Sequence, residues 1–267
     1  MERLTEQAYW DAVWVKEGLP PGGVVGDDRL HYADHVLFEV LFRKYLPRQP
    51  GLRVVEIGSA PGTVLVRLAR MHGWDPWGVE YAASGAEANR RVFQANGFDP
   101  AHVVEGDFFS AEFQQEFAAS FDIVISRGFI EHFTDVGDVI AKHAAIAKPG
   151  GHIAVTIPRL RGVYWPWMRL FDARDLARHN LTIMRSENFQ RAFEQQGLRT
   201  LHCGYYGTLA LRRFVLPGDH ALARAQRSLM MKGAAVVELA SRWVLGDAGV
   251  SSGLLSPYLV WIGTKAA

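Results

Sequence analysis

From residue 52 onward, short apolar runs alternate with longer stretches whose apolar positions recur every three or four residues. Residues 52–57 are β-branched and apolar up to a Gly/Pro turn, as in a strand buried on both faces. Residues 63–71 follow with Val64, Leu65, Leu68 and Met71 at helical spacing. The same reading predicts a strand ending near Glu80, a helix over 84–95, and strands over 102–105 and 121–126. It then predicts a helix over 135–147 closed by Pro149-Gly150-Gly151, a strand over 151–157, and a helix over 186–196 stopped by Gly197. Strands over 198–205 and 258–264 complete the series. Seven strands alternating with helices specify an α/β fold, a mostly parallel sheet sandwiched by helices. Residues 159–185 and 207–256 break the alternation and are too long to be connections, so they are expected to cap the sheet. Residues 1–48 are expected to form an N-terminal helical cap segment, broken by a Gly/Pro-rich loop over 18–28, and residues 49–267 the main domain.

Composition narrows the partners. Apolar residues make up 49% of the chain and charged residues 21%, which fits a folded domain. With 29 basic and 28 acidic side chains the net charge is +1, so nothing electrostatic points to nucleic acid or an anionic membrane. The single cysteine, Cys203, excludes an internal disulfide and a zinc site built on paired thiolates. It fits a cytoplasmic protein. The opening MERLTEQAYW lacks the apolar core of a signal peptide, and no window is long and apolar enough for a membrane span.

The first strand runs into Glu56-Ile57-Gly58-Ser59-Ala60-Pro61-Gly62-Thr63, a glycine-rich turn that lets a ligand approach the backbone. A dinucleotide fingerprint begun at Gly58 would need glycine at Ala60 and glycine or alanine at Thr63, so NAD fits poorly. The absence of a G-K-[ST] run excludes a nucleoside triphosphate loop. A carboxylate just before the turn repels phosphate and suits a cationic ligand. Glu80, ending the second strand, stands where α/β nucleotide folds place a carboxylate on ribose hydroxyls. Asp107, just past the third strand, can accept from an adenine amino group while Phe108 packs on the ring; it can equally cap the next helix.

The strings VVEIGSAPG, GVEY, GDFF, FDIVISRGFIEHF and KPGGHIAVTIP, in that order over residues 52–158, resemble the motif series of class I S-adenosylmethionine-dependent methyltransferases. The resemblance implies a Rossmann-like fold with S-adenosyl-L-methionine as cofactor. By that likeness Glu56, Gly58, Ser59, Ala60 and Gly62 line its methionine end, Glu80 and Tyr81 its ribose, and Asp107 and Phe108 its adenine. Ser126 and Arg127 would stand beside the methyl group. Pro61 departs from the pattern and removes one backbone donor from the turn.

The resemblance also raises a metal. Small-RNA 2′-O-methyltransferases and ubiquinone O-methyltransferases carry an E-x-x-E-H run that binds a divalent cation. Here the run is Gly128-Phe129-Ile130-Glu131-His132, with the first carboxylate missing, so no metal is expected. Tyr9, Trp10, Trp14, Phe129, Tyr164, Trp165, Tyr205 and Tyr206 are expected to ring an acceptor pocket. The expected activity is methyl transfer to an oxygen or nitrogen of a small-molecule acceptor, as in natural-product biosynthesis. A macromolecular acceptor (tRNA or protein) and a non-catalytic cofactor-binding scaffold stay open as alternatives. A base, if one is used, would be His179, narrowly preferred over His132 because it sits in a polar triplet inside an aromatic cap. No nucleic acid and no membrane span are expected, and a homodimer is admitted.

Overall fold

Seven strands form one sheet: β1 (Arg53–Ile57), β2 (Asp75–Glu80), β3 (Val103–Glu105), β4 (Phe121–Arg127), β5 (Ala147–Pro158), β6 (Arg199–Tyr206) and β7 (Tyr258–Thr264). Their order is β3-β2-β1-β4-β5-β7-β6, with β7 antiparallel to both neighbours and the other pairings parallel. All seven strands stand where the apolar runs predict them. The computed structural model describes residues 2–17, 31–218, 220–247, 249 and 251–267, and the loop expected over 18–28 lies outside these.

Eleven α-helices are found among the described residues. Before the sheet come α1 (Gln7–Glu17), α2 (Tyr32–His35) and α3 (Arg43–Tyr45), the last two joined by a wider π-wound stretch, Val36–Phe42. Between the strands lie α4 (Thr63–His72), α5 (Ala83–Ala95), α6 (Ala111–Glu116), α7 (Val136–Ile146), α8 (Tyr164–Phe171), α9 (Ala173–Leu176), α10 (Ser186–Glu194) and α11 (Ala221–Leu245). None is long and apolar enough to cross a membrane.

Alternation along the strands divides the core between the two faces. Val55, Ile57, Val124 and Trp261 join Phe189 and Phe193 of α10 on one face, where Trp261 stacks on Phe193 with ring centroids 3.9 Å apart. Val54, Ile123, Ile125 and Ile262 meet Leu65 and Leu68 of α4 on the other. Each fully buried side chain of this size contributes roughly 1.5–3 kcal/mol.

The segment before residue 49 divides in two. Tyr32, Leu37, Phe38 and Phe42 are fully buried in the second core cluster, whereas α1 lies against α5. The two long insertions are tied to each other by Tyr164, whose hydroxyl donates to Leu255 O at 2.6 Å and accepts from Ala210 N at 3.0 Å. The strand order reverses between β1 and β4, so a crevice opens at the carboxyl ends of these strands, where α/β folds bind ligands.

Candidate functional site

The turn after β1 depends on glycine at two places. Gly62 has φ +89°, and a Cβ there would fall 2.0 Å from Oδ1 of Asn89, which is fully buried. Asn89 in turn donates to Ser59 Oγ at 2.5 Å and fixes the turn from below. At Gly58, φ is +70° and an added Cβ would meet the Phe129 ring at 3.2 Å. A side chain at either place would strike a packed neighbour, so the turn keeps this shape only with glycine.

Three acids stand at the ends of successive strands. Glu56 is buried, and burial raises its carboxyl to about 7, against the lowering effect of Arg127. Glu80 is also buried, with its pKa raised by desolvation. Its two oxygens accept from Ala82 N at 3.0 Å and Ala60 N at 3.3 Å, so it stitches the turn to β2. Asp107 accepts from Phe109 N at 3.0 Å through one oxygen and from Arg3 at 2.5 Å through the other. Helix α6 is capped by Ser110, not by Asp107.

A cavity of about 200 Å³ lies beside Glu80 and Asp107, lined also by Gly58, Ala60, Tyr81 and Phe108. Arg127, Phe129 and His132 close one side, and Arg3, Trp10 and Trp14 the other. The N-terminal segment is held there by Leu4 N donating to His132 O at 2.8 Å and by Gln7 Nε2 donating to Tyr81 O at 2.7 Å. Arg3 lies 5.5 Å from the Tyr81 ring centroid and 5.2 Å from that of Phe109.

Both candidate histidines come together beside this cavity. Asn180 N donates to Glu131 O at 2.7 Å, which pulls the first insertion onto the segment after β4. The rings of His132 and His179 then stand 4.7 Å apart. His132 Nδ1 donates to Arg178 O at 3.0 Å and His179 Nδ1 to Asp175 O at 2.8 Å, so each Nε2 is left with its lone pair. Burial lowers both pKa values, that of His132 to about 4. Of the two, only His132 lines the cavity; His179 stands behind it.

Glu131 is fully buried, and neither of its carboxylate oxygens has a hydrogen-bond partner. Burial raises its carboxyl to about 8. Glu131, His132 and His179 each offer one ligand atom, all within 4.8 Å of one another, so this trio could hold a cation. Gly128 removes one carboxylate from the E-x-x-E-H run, yet a more distant element supplies a histidine that the run alone does not show.

Other expected site residues are placed elsewhere. Ser126 is fully buried within the sheet, its hydroxyl without a partner, and lines no described cavity. Tyr9 packs under the Arg178 guanidinium at 4.3 Å. Tyr164 links the insertions, Trp165 is 39% exposed, and the Tyr205 hydroxyl accepts from Ser186 N while its ring lies under Arg159. None of these four aromatics lines a described cavity, which corrects their expected place in the pocket. Tyr206 does, together with Glu56, Ser59 and Gly62, in a second cavity on the other side of the turn. Arg3, Arg213 and Tyr258 line cavities without having been singled out in the sequence. No motif surrounds them, and only the fold brings them in.

A methyltransferase-domain family matches residues 29–203. The chain is 34% identical over 109 residues to a ubiquinone biosynthesis O-methyltransferase of Rhodopseudomonas palustris, 39% of each chain being covered. It is 31% identical over 129 residues to the Sinorhizobium medicae protein of the same name, covering 48% of this chain and 50% of that one. The chain thus spans half or less of the length of these curated relatives. In fold it is similar to the geranyl diphosphate C-methyltransferase of Streptomyces coelicolor, with a TM-score of 0.57 and 16% identity over 87% of this chain and 79% of that one. The chain belongs to the methyltransferase-domain family, within the class I S-adenosylmethionine-dependent methyltransferases.

Proposed function

We propose that the protein transfers a methyl group from S-adenosylmethionine to an oxygen of a small-molecule acceptor. One observation carries this reading: Glu56, Glu80 and Asp107, at the ends of β1, β2 and β3, line two cavities that meet at the glycine turn, both walled by Gly58 and Ala60. The donor set fits the cofactor, with Glu56 toward its ammonium, Glu80 toward the ribose hydroxyls and Asp107 toward the adenine amino group. Bound there, S-adenosylmethionine supplies an electrophilic methyl group. Oxygen is preferred over nitrogen because the two curated relatives above are named O-methyltransferases.

His132, rather than His179, is then the base, since it lines the cavity and presents a bare Nε2. Its Nε2 takes the proton of the acceptor hydroxyl while the buried site excludes water. Calorimetry tests the cofactor assignment: S-adenosylhomocysteine should bind, and Glu80→Ala should weaken it by up to about 3 kcal/mol. Unchanged affinity in that variant would sink the assignment. His132→Ala should lower turnover roughly 10²–10⁴-fold with cofactor affinity intact. Because burial holds His132 down to about 4, wild-type turnover should fall only as pH drops well below the ordinary histidine range.

The unpartnered Glu131 carboxylate favours a second reading, in which Glu131, His132 and His179 hold a divalent cation that polarises the acceptor hydroxyl. Metal analysis of the purified protein separates the two. Activity that survives a strong chelator supports the base, and activity lost to it and restored by a divalent cation supports the metal. The single cysteine supports the cytoplasm as the place of action. Leu222, Leu229, Val236 and Trp243, all exposed on α11, support a homodimer.

A further inference from the structure

The cavity beside Glu80 and Asp107 is partly taken up by the protein itself. Its volume is about 200 Å³, below the roughly 300–1,000 Å³ usual for small-molecule sites. Arg3 stands on its wall together with Tyr81, Asp107, Phe108 and Phe109. Those four residues follow the ends of β2 and β3, whereas Arg3 comes from the N-terminal segment, 104 residues away from Asp107 in sequence.

The backbone holds Arg3 at this place. It forms an antiparallel bridge with Phe133. On either side of it, Leu4 N donates to His132 O at 2.8 Å and Thr134 N donates to Glu2 O at 3.3 Å. The side chain then makes three contacts. One Nη donates to Asp107 Oδ2 at 2.5 Å, and the guanidinium lies over the Tyr81 and Phe109 rings, 5.5 Å and 5.2 Å from their centroids. A guanidinium is flat, with N–H donors in its plane and a face that stacks on aromatic rings. The amino edge of adenine has the same form: a flat face and an in-plane N–H that donates to a carboxylate.

We propose that Arg3 is an internal stand-in for adenine: in the free protein its guanidinium fills the adenine seat, and the adenosine end of the cofactor displaces it. The proposal rests on the cofactor reading above. The contact is built to give way. The two side chains are 31% and 44% exposed, and an ion pair so placed contributes little and is screened by salt. Displacement frees Asp107 Oδ2, while Phe109 N, bonded to Oδ1, keeps the carboxylate aimed. The exchange is an autoinhibitory contact on cofactor capture, and it weakens adenine binding by whatever the arginine contributes in the empty seat.

The probe is 5′-methylthioadenosine, which carries the adenosine end and no charge. Calorimetry gives its affinity, and stopped-flow tryptophan fluorescence its association rate, since Trp10 and Trp14 line the cavity. Arg3→Ala should bind it about two- to fivefold tighter than wild type, the worth of a half-exposed ion pair, with the gain in the association rate. Arg3→Lys keeps the charge but not the flat fork, and should fall between the two. Raising the salt from about 0.1 M to about 1 M should tighten wild-type binding more than binding by Arg3→Ala. The same order should hold for S-adenosylhomocysteine. An Arg3→Ala variant that binds both ligands as the wild type does, or more weakly, overturns the proposal; weaker binding would make Arg3 a clasp on bound adenine. Failure of both proteins to bind S-adenosylhomocysteine would instead remove the cofactor reading, and the proposal with it.

Discussion

At the scale of single residues, burial sets the chemistry of Glu56. Its carboxyl lies well above the ordinary value of 4.5, at about 7, because it has been removed from water. In the free protein its contribution to stability is therefore full below the ordinary value and is lost as pH rises through about 7. A bound ammonium reverses the preference, so binding should release a proton near neutrality. Affinity for S-adenosylhomocysteine should rise between about pH 6 and 7, and Glu56→Gln should flatten that rise. Identical pH profiles in the two proteins would remove Glu56 from the cofactor site. Gly62 is a purely steric case. With φ +89° and Asn89 Oδ1 only 2.0 Å from any added Cβ, Gly62→Ala should destabilise the fold by roughly 2–4 kcal/mol, seen as a lower melting temperature. The acids before and after the turn were legible because a motif surrounds them. Side-chain direction was not. Tyr205 and Tyr206 are neighbours on β6, so alternation sends one under Arg159 and the other into the second cavity. Ser126 is enclosed because β4 is covered on both faces.

Elements were legible wherever periodicity was strong. The seven strands and helices α4, α5, α7 and α10 follow directly from it. The N-terminal segment is a different matter, because its function comes from what it covers. Residues 2–14 supply no side chain to either core cluster, yet Arg3, Thr5, Trp10 and Trp14 line the cavity beside Glu80 and Asp107. Arg3 also occupies the Asp107 carboxylate that the adenine would use. On the proposed cofactor reading the segment is a cover that shifts for the adenine to reach Asp107. Deleting residues 1–17 should leave cooperative unfolding largely unchanged and speed S-adenosylhomocysteine dissociation, measured by stopped-flow displacement. A deletion that collapses the fold, or one that leaves dissociation unaltered, would refute that role. The first insertion shows how far sequence spacing misleads. Its polar triplet does reach the site, but Asn180 spends its backbone donor on Glu131 O, and His179 stops behind His132.

Across the whole molecule, apolar exposure is unevenly shared. Every large hydrophobic side chain recorded as exposed among the described residues lies between Trp165 and Leu255, in the two insertions. On α11, Leu222, Leu229, Val236 and Trp243 recur every seven residues and are 64% to 88% exposed. One apolar residue in every seven along a helix of 25 residues makes a single exposed apolar ridge. The opposite face, with Ala223 and Ala234, is already buried against the protein, so the row has no partner among the described residues. A second copy presenting its own α11 would cover both rows at once with a twofold contact. Neither the net charge of +1 nor the alternation of strands and helices could have shown this, since it depends on which face of α11 packs on α2 and on the turn over 211–213. The protein should therefore self-associate in sedimentation velocity at high concentration. Leu229→Glu with Val236→Glu should give a monomer that still binds S-adenosylhomocysteine, because neither residue lines a described cavity. A wild-type protein that stays monomeric, or one that binds anionic lipid vesicles through this row instead of a second copy, would show that the ridge serves another surface.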